Sequence, residues 1–117
     1  MHRMMCKSKI HRVTVTEKAL SYEGSITIDP ELMEAANLIV YEVVKVANLN
    51  NGARFQTYVI EGKRGSGEIV LNGAASRLGE TGDQLIIMCF CSVPEEDVKN
   101  FKPAFIKVDG KNKILQG

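Results

Sequence analysis

Apolar and polar residues alternate with period two along most of this chain, in short runs separated by turn residues. Ile10, Val13 and Val15 mark a first run from about Met5 to Thr16. Ser25 to Ile28 alternates cleanly, and Val43 to Leu49 forms a third run. Asn50-Asn51-Gly52 then supplies residues that tolerate positive φ, so a hairpin returning through Phe55 to Ile60 is predicted. The glycine-rich stretch Gly62 to Gly67 turns the chain again, before Glu68 to Leu71. Gln84 to Cys91 is the most apolar run and has the pattern of a central strand. Phe105 to Val108 precedes an Asp109-Gly110 turn.

Two short helices are predicted between these runs. Asp29 to Ala36 opens with an N-cap Asp, a Pro at the first helical position and an acid in the first turn. Ser92 to Val98 repeats that logic through Pro94, Glu95, Glu96 and Asp97. Many short strands with few helices make a mainly β fold, a small barrel or sandwich. Closure into a barrel removes the exposed edges that short strands otherwise leave.

A length of 117 residues holds one domain, spanning 1–117, with a modest core and no need of staples. The hydrophobic share of 44% and charged share of 25% are those of a folded chain, not a disordered one. A net charge of +1 gives no general attraction to nucleic acid or to an anionic membrane. No apolar run reaches the ~18 residues of a bilayer span, and the start, Met1 to Lys7, runs into alternation rather than an apolar signal core. Cys89 and Cys91 fall on one face of a strand, where they suit the core; with Cys6 they make an odd count. C-x-C with only His2 and His11 is a poor metal set, so no metal is expected, and free thiols suit a reducing cytoplasm.

The common catalytic signatures, G-x-S-x-G, the P-loop, the dinucleotide fingerprint and H-E-x-x-H, are absent. His11, beside Arg12, has no local triad partner and suits a structural hydrogen bond. An enzyme of this size then has to bind a cofactor or make one. Gly24-Ser25 stands where a turn enters a strand. A glycine there is free to take unusual dihedrals and leaves its carbonyl open, and the Ser25 hydroxyl is placed to attack that carbonyl. Taken alone, Gly-Ser is a common turn dipeptide.

Four groups of residues change that weighting. Lys9-Ile10-His11-Arg12, Tyr22-x-Gly24-Ser25-x-Thr27-Ile28-Asp29, Asn51-Gly52-x-Arg54-Phe55-x-Thr57-Tyr58 and Asn72-Gly73-Ala74-Ala75 occur in this order and at these separations. As an ordered set, from about Met4 to Val108, they closely resemble the pyruvoyl-dependent aspartate decarboxylases. The resemblance implies a six-stranded double-psi β-barrel with short helices, assembled as a homotetramer with sites between subunits. It implies an inactive precursor that cuts itself between Gly24 and Ser25, giving fragments 1–24 and 25–117. Ser25 then becomes a pyruvoyl group, which forms a Schiff base with L-aspartate, and no pyridoxal phosphate is needed. Decarboxylation yields β-alanine for pantothenate and coenzyme A synthesis in the cytoplasm.

The resemblance also implies roles for individual residues. Thr57 assists cleavage by a hydrogen bond toward the Gly24 carbonyl and lines the substrate site. Tyr58 is the proton donor; an ordinary tyrosine still carries its proton at pH 7. Arg54 grips a substrate carboxylate, with Lys9 as a second cation. Tyr22, Asn72, Gly73, Ala74 and Ala75 line the site, and Ile86 is an apolar wall, although by pattern alone it is core. The chain departs from many relatives at Ala75-Ser76-Arg77 and in its short C-terminal tail. Spontaneous cleavage and cleavage aided by a maturation factor both remain open. So do a non-catalytic barrel and a decarboxylase of another amino acid.

Overall fold

The computed structural model describes residues 1–20 and 24–116. Among the described residues there are eight strands, one short α-helix and two 3-10 helices. β1 (His2–Thr14) and the three-residue β2 (Glu17–Ala19) are followed by β3 (Ser25–Ile28) and α1 (Pro30–Ala35). β4 (Val43–Asn48) and β5 (Arg54–Glu61) form a hairpin, in which Ala47 pairs with Arg54 and Gly52 takes φ +77° at the turn. β6 (Ile69–Asn72) leads into a 3-10 helix at Gly73–Leu78. β7 (Gln84–Pro94), a 3-10 helix at Glu95–Asn100 and β8 (Ala104–Lys107) complete the chain.

The strands lie in the order β2-β6-β3-β5-β4-β7-β1-β8. Six of them, β6 through β1, form an unbroken run, and the short β2 and β8 flank it. β1 and β2 stand near opposite ends of this order, yet only Val15 and Thr16 separate them in the chain. The Thr16 amide donates to the Ile69 carbonyl at 2.9 Å, and the Ile69 amide donates to Thr16 Oγ1 at 3.0 Å. Chain continuity therefore bends the sheet round on itself. The inner face, with Ile10, Ile26, Val46, Val59, Leu71 and Ile87, is buried.

β1 shows how one residue reverses a face. Ser8 and Ile10 are buried, then Val13 and Val15. The phase changes at Arg12, which takes φ +66° where the register against β7 slips between His11 and Val13. A bulge there explains the spacing of three between Ile10 and Val13.

Asp29 caps α1 by accepting from the Glu31 amide at 2.9 Å. Its carboxylate also accepts from the amides of Gly65 (3.0 Å) and Gly67 (2.8 Å), which ties the glycine-rich turn to the end of β3. Gly67 has φ +73°, and a Cβ there would stand 2.6 Å from the Lys111 carbonyl oxygen.

The second predicted helix is corrected. Ser92 to Pro94 belong to β7, because His2, Arg3 and Met4 pair with Pro94, Val93 and Ser92. Backbone pairing overrides the local helix signal, and only a 3-10 turn follows from Glu95. The short, polar β2 and the 3-10 helix after Asn72 have no apolar periodicity by which to find them.

Candidate functional site

β3 lies between β6 and β5, antiparallel to the first and parallel to the second. Ile26 pairs with Leu71 and Val59, and all three side chains point into the core. Alternation therefore turns Ser25 and Thr27 to the other face. Ser25 pairs directly with Asn72 and is only 2% exposed. Asn72 Nδ2 donates to Ser25 Oγ at 2.9 Å and to Thr27 Oγ1 at 2.8 Å. Thr27, part of the matched motif but given no role there, is thus joined to Ser25 through one amide. A hydroxyl residue two positions along a strand was the available signal.

Gly24 is exposed, and among the described residues, its chain neighbours aside, no heavy atom lies within 4 Å of where its Cβ would stand. Its φ is outside the left-handed region. Extending the β3–β5 register by one and two residues sets Ser25 level with Tyr58 and Gly24 level with Thr57. Beyond Asn72, Gly73 takes φ +60°, and its carbonyl accepts from Ser76 Oγ at 2.6 Å. Gly73 and Ala75 are buried, whereas Ala74 is exposed. Tyr22 lies outside the described residues.

The remaining expected residues lie farther round the outer face. Arg54 is exposed beside Lys45 and Gln56, lining a shallow cleft of about 250 Å³. Tyr58 is half-buried, its ring 6.1 Å from that of Tyr41 and tilted by 50°. Lys9 pairs with Met88 of β7, and Met88 in turn pairs with Lys45. Lys9 thus shares the outer face but stands four strands from Ser25, through β5, β4, β7 and β1. At about 4.8 Å per strand, that is roughly 19 Å along the sheet. Lys9 Nζ sits 6.0 Å over the Phe105 ring, in a cleft that includes His11 and Lys107. Partial burial, then the charges of Lys9, Arg12 and Lys107, lower the affinity of His11 for a proton. Ile86 is half-buried between Ala47 and His11.

The cysteines provide no comparable centre. Burial first, then the charge of Glu42, pushes the Cys89 thiol up to about 11, which disfavours the thiolate a metal would need. Among the described residues, no three His, Cys, Asp or Glu side chains converge as a metal site requires. Nor is any helix among them long and apolar enough to cross a membrane.

Chemically, the Ser25 end of the sheet joins a buried hydroxyl, an amide donor on its oxygen and an exposed glycine on its N-terminal side. Comparison with known proteins points the same way. The family model described as "Aspartate decarboxylase" matches residues 1–115. A Clostridium acetobutylicum protein named aspartate 1-decarboxylase is 54% identical over 114 residues, covering 97% of this chain and 90% of its own. One of the same name from Caldicellulosiruptor saccharolyticus is 58% identical over 110 residues, covering 94% and 86%. Another, from Thermoanaerobacter pseudethanolicus, is 56% identical over 113 residues and covers 97% of each chain. Among solved structures, a rationally designed double-psi β-barrel protein aligns with TM-score 0.50 at 15% identity, covering 68% of this chain and 91% of its own. That last likeness is one of fold, and it is the barrel expected from the sequence.

Proposed function

Because the chain belongs to the aspartate decarboxylase family, we propose that it removes the α-carboxylate of L-aspartate as CO2 and leaves β-alanine, which serves pantothenate and coenzyme A synthesis. The observation that carries this reading is identity of 54–58% to three decarboxylases across 94–97% of the chain.

The reactive group is generated from Ser25 by self-cleavage after Gly24. The residues present fit that origin. Serine brings both a β-oxygen able to leave and an α-proton, and the Ser25 hydroxyl is already held by Asn72. Thr57, level with Gly24, donates toward the oxyanion that forms on the Gly24 carbonyl. A hydroxyl is a weak nucleophile at neutral pH, so a fixed geometry carries much of the step. Once formed, a pyruvoyl group at position 25 supplies the electron sink for breaking the carbon–carbon bond. The side chains around it bind and transfer protons. Arg54 holds one carboxylate of aspartate through its two-pronged guanidinium, and Lys9 offsets the second negative charge. Tyr58 returns a proton to the carbon that loses CO2.

Assembly completes the site. Within one chain Lys9 stands four paired strands from Ser25, in a cleft with Phe105 and Lys107. The outer face between them exposes Met4, Val43, Tyr41 and Phe90. In a homotetramer that face is covered, and Lys9 of one copy reaches the Ser25 of another.

The test is direct. Intact-mass measurement of incubated protein should give fragments 1–24 and 25–117, the larger lacking a free amine, and the protein should release CO2 from L-aspartate. Ser25→Ala should remain one inactive chain. An active Ser25→Ala variant would remove the pyruvoyl assignment; CO2 released only from another amino acid would remove the substrate assignment.

A further inference from the structure

Asn72 Nδ2 bridges two hydroxyl oxygens on one strand, Ser25 Oγ and Thr27 Oγ1. An amide nitrogen carries two hydrogens, so each hydroxyl takes one. Thr27 is itself held: its methyl packs so closely against Gly62 that a Cβ on that glycine would stand 2.9 Å from Thr27 Cγ2. With its methyl fixed there, its hydroxyl is presented to Asn72. We propose that Thr27 is a positioning residue for self-cleavage, anchoring the Asn72 amide so that its second N–H stays on Ser25 Oγ. The inference rests on the self-cleavage proposed above and extends it to a residue given no role there.

The chemistry assigns the pair to one step. In the first step the bond from Ser25 Oγ to the Gly24 carbonyl carbon forms and the carbon–nitrogen bond breaks. The hydroxyl proton ends on the Ser25 nitrogen. Here Oγ gives up a lone pair, and a donor on that oxygen does not help. In the second step the Ser25 α-proton passes to solvent, the Cβ–Oγ bond breaks, and Gly24 leaves as a carboxylate that keeps Oγ. Here Oγ takes the electron pair of the broken bond, and an N–H already pointed at it stabilises the charge. Residue 25 is left as dehydroalanine; water then replaces its nitrogen, which leaves as ammonia. The Asn72–Thr27 pair thus serves departure of the oxygen, not its attack.

Cleavage kinetics of the full chain, followed by intact mass, test this without any measurement of decarboxylation. Thr27→Val keeps the shape and loses the hydroxyl. It should form fragments roughly 5- to 30-fold more slowly, the effect of about one to two kcal/mol for one hydrogen bond. An ester should accumulate, seen as chain breakage on adding hydroxylamine. Thr27→Ser should restore the normal rate. In an Asn72→Ala background, Thr27→Val should add nothing, because its effect passes through Asn72. Thr27→Ala gives a second probe should valine disturb folding, which thermal melting would reveal. Fragment formation at the wild-type rate in both Val and Ala variants would overturn the proposal. So would equal slowing in Thr27→Ser, or further slowing by Thr27→Val when Asn72 is already gone. Failure of the unsubstituted chain to cleave would instead overturn self-cleavage itself, and needs no variant to be seen.

Discussion

Thr57 and Tyr58 are consecutive in β5 and face opposite sides of the sheet. Thr57 lies in the inner row between Phe55, which packs against the core, and the fully buried Val59. Tyr58 lies in the outer row, its ring near Tyr41, at the level of Ser25. The pleat alone separates them. A substitution at one position thus leaves the surroundings of the other largely intact, and the two chemical stages can be probed separately.

Thr57→Val should block or greatly slow fragment formation, because it removes the donor proposed for the Gly24 carbonyl. Tyr58→Phe should cleave at the normal rate and then turn over slowly, by about 10²- to 10⁴-fold for a lost proton donor. Fragment yield and single-turnover rate, measured on both variants, check the division. Normal cleavage in Thr57→Val, or none in Tyr58→Phe, would show that the roles are reversed or shared.

Arg54→Ala should also cleave normally, since the precursor reaction has no aspartate carboxylate to hold. Its apparent affinity for aspartate should fall by about 10- to 150-fold, the loss of a charge-assisted pair worth roughly 1.5–3 kcal/mol. Steady-state kinetics on cleaved protein give the answer; an unchanged KM would place the carboxylate elsewhere.

Lys9 supplies a test of the shared site. Light scattering should give a mass near four times 12.9 kDa. Chains carrying Ser25→Ala and chains carrying Lys9→Ala should each be inactive or weak alone. Unfolded together and refolded as mixed assemblies, they should regain part of the activity, because some sites then combine an intact Lys9 with an intact Ser25. A fully active monomer, or mixtures no better than their parts, would show that each chain builds its own site.

Asp29 sets an acid limit on the fold. Burial pushes its carboxyl up, but the amides of Glu31, Gly67 and Gly65 and the charge of Lys113 outweigh burial and hold it below its ordinary 3.8. A carboxylate with a depressed folded value contributes stability that is present above 3.8 and fades as pH falls through the folded value. Asp29→Asn should therefore cost about 1.5–3 kcal/mol at pH 7, the worth of hydrogen bonds to a charged group. Between pH 4 and pH 2 the variant should lose less further stability than the parent. Parallel denaturant midpoints across that range would mean that Asp29 does not carry this dependence.

Much of the barrel was legible along the chain. Strand β3 falls where its alternation predicts, the β4–β5 hairpin turns at Asn51-Gly52, and α1 starts on its Asp-Pro pair. These are local effects: side-chain period, turn dihedrals and end capping act within a few residues. The family was legible too, through the ordered set of motifs around Gly24-Ser25. What needed the tertiary structure was every relationship set by pairing across the sheet. Ser92 to Pro94 become strand because β1 lies beside them, and Glu17, Lys18 and Ala19 become β2 because β6 does. The joining of Ser25, Thr27 and Asn72 through one amide depends on antiparallel register between β3 and β6, and the distance of Lys9 from Ser25 depends on the order of four strands. Register and strand order arise from contacts between segments tens of residues apart, and no local periodicity carries that information.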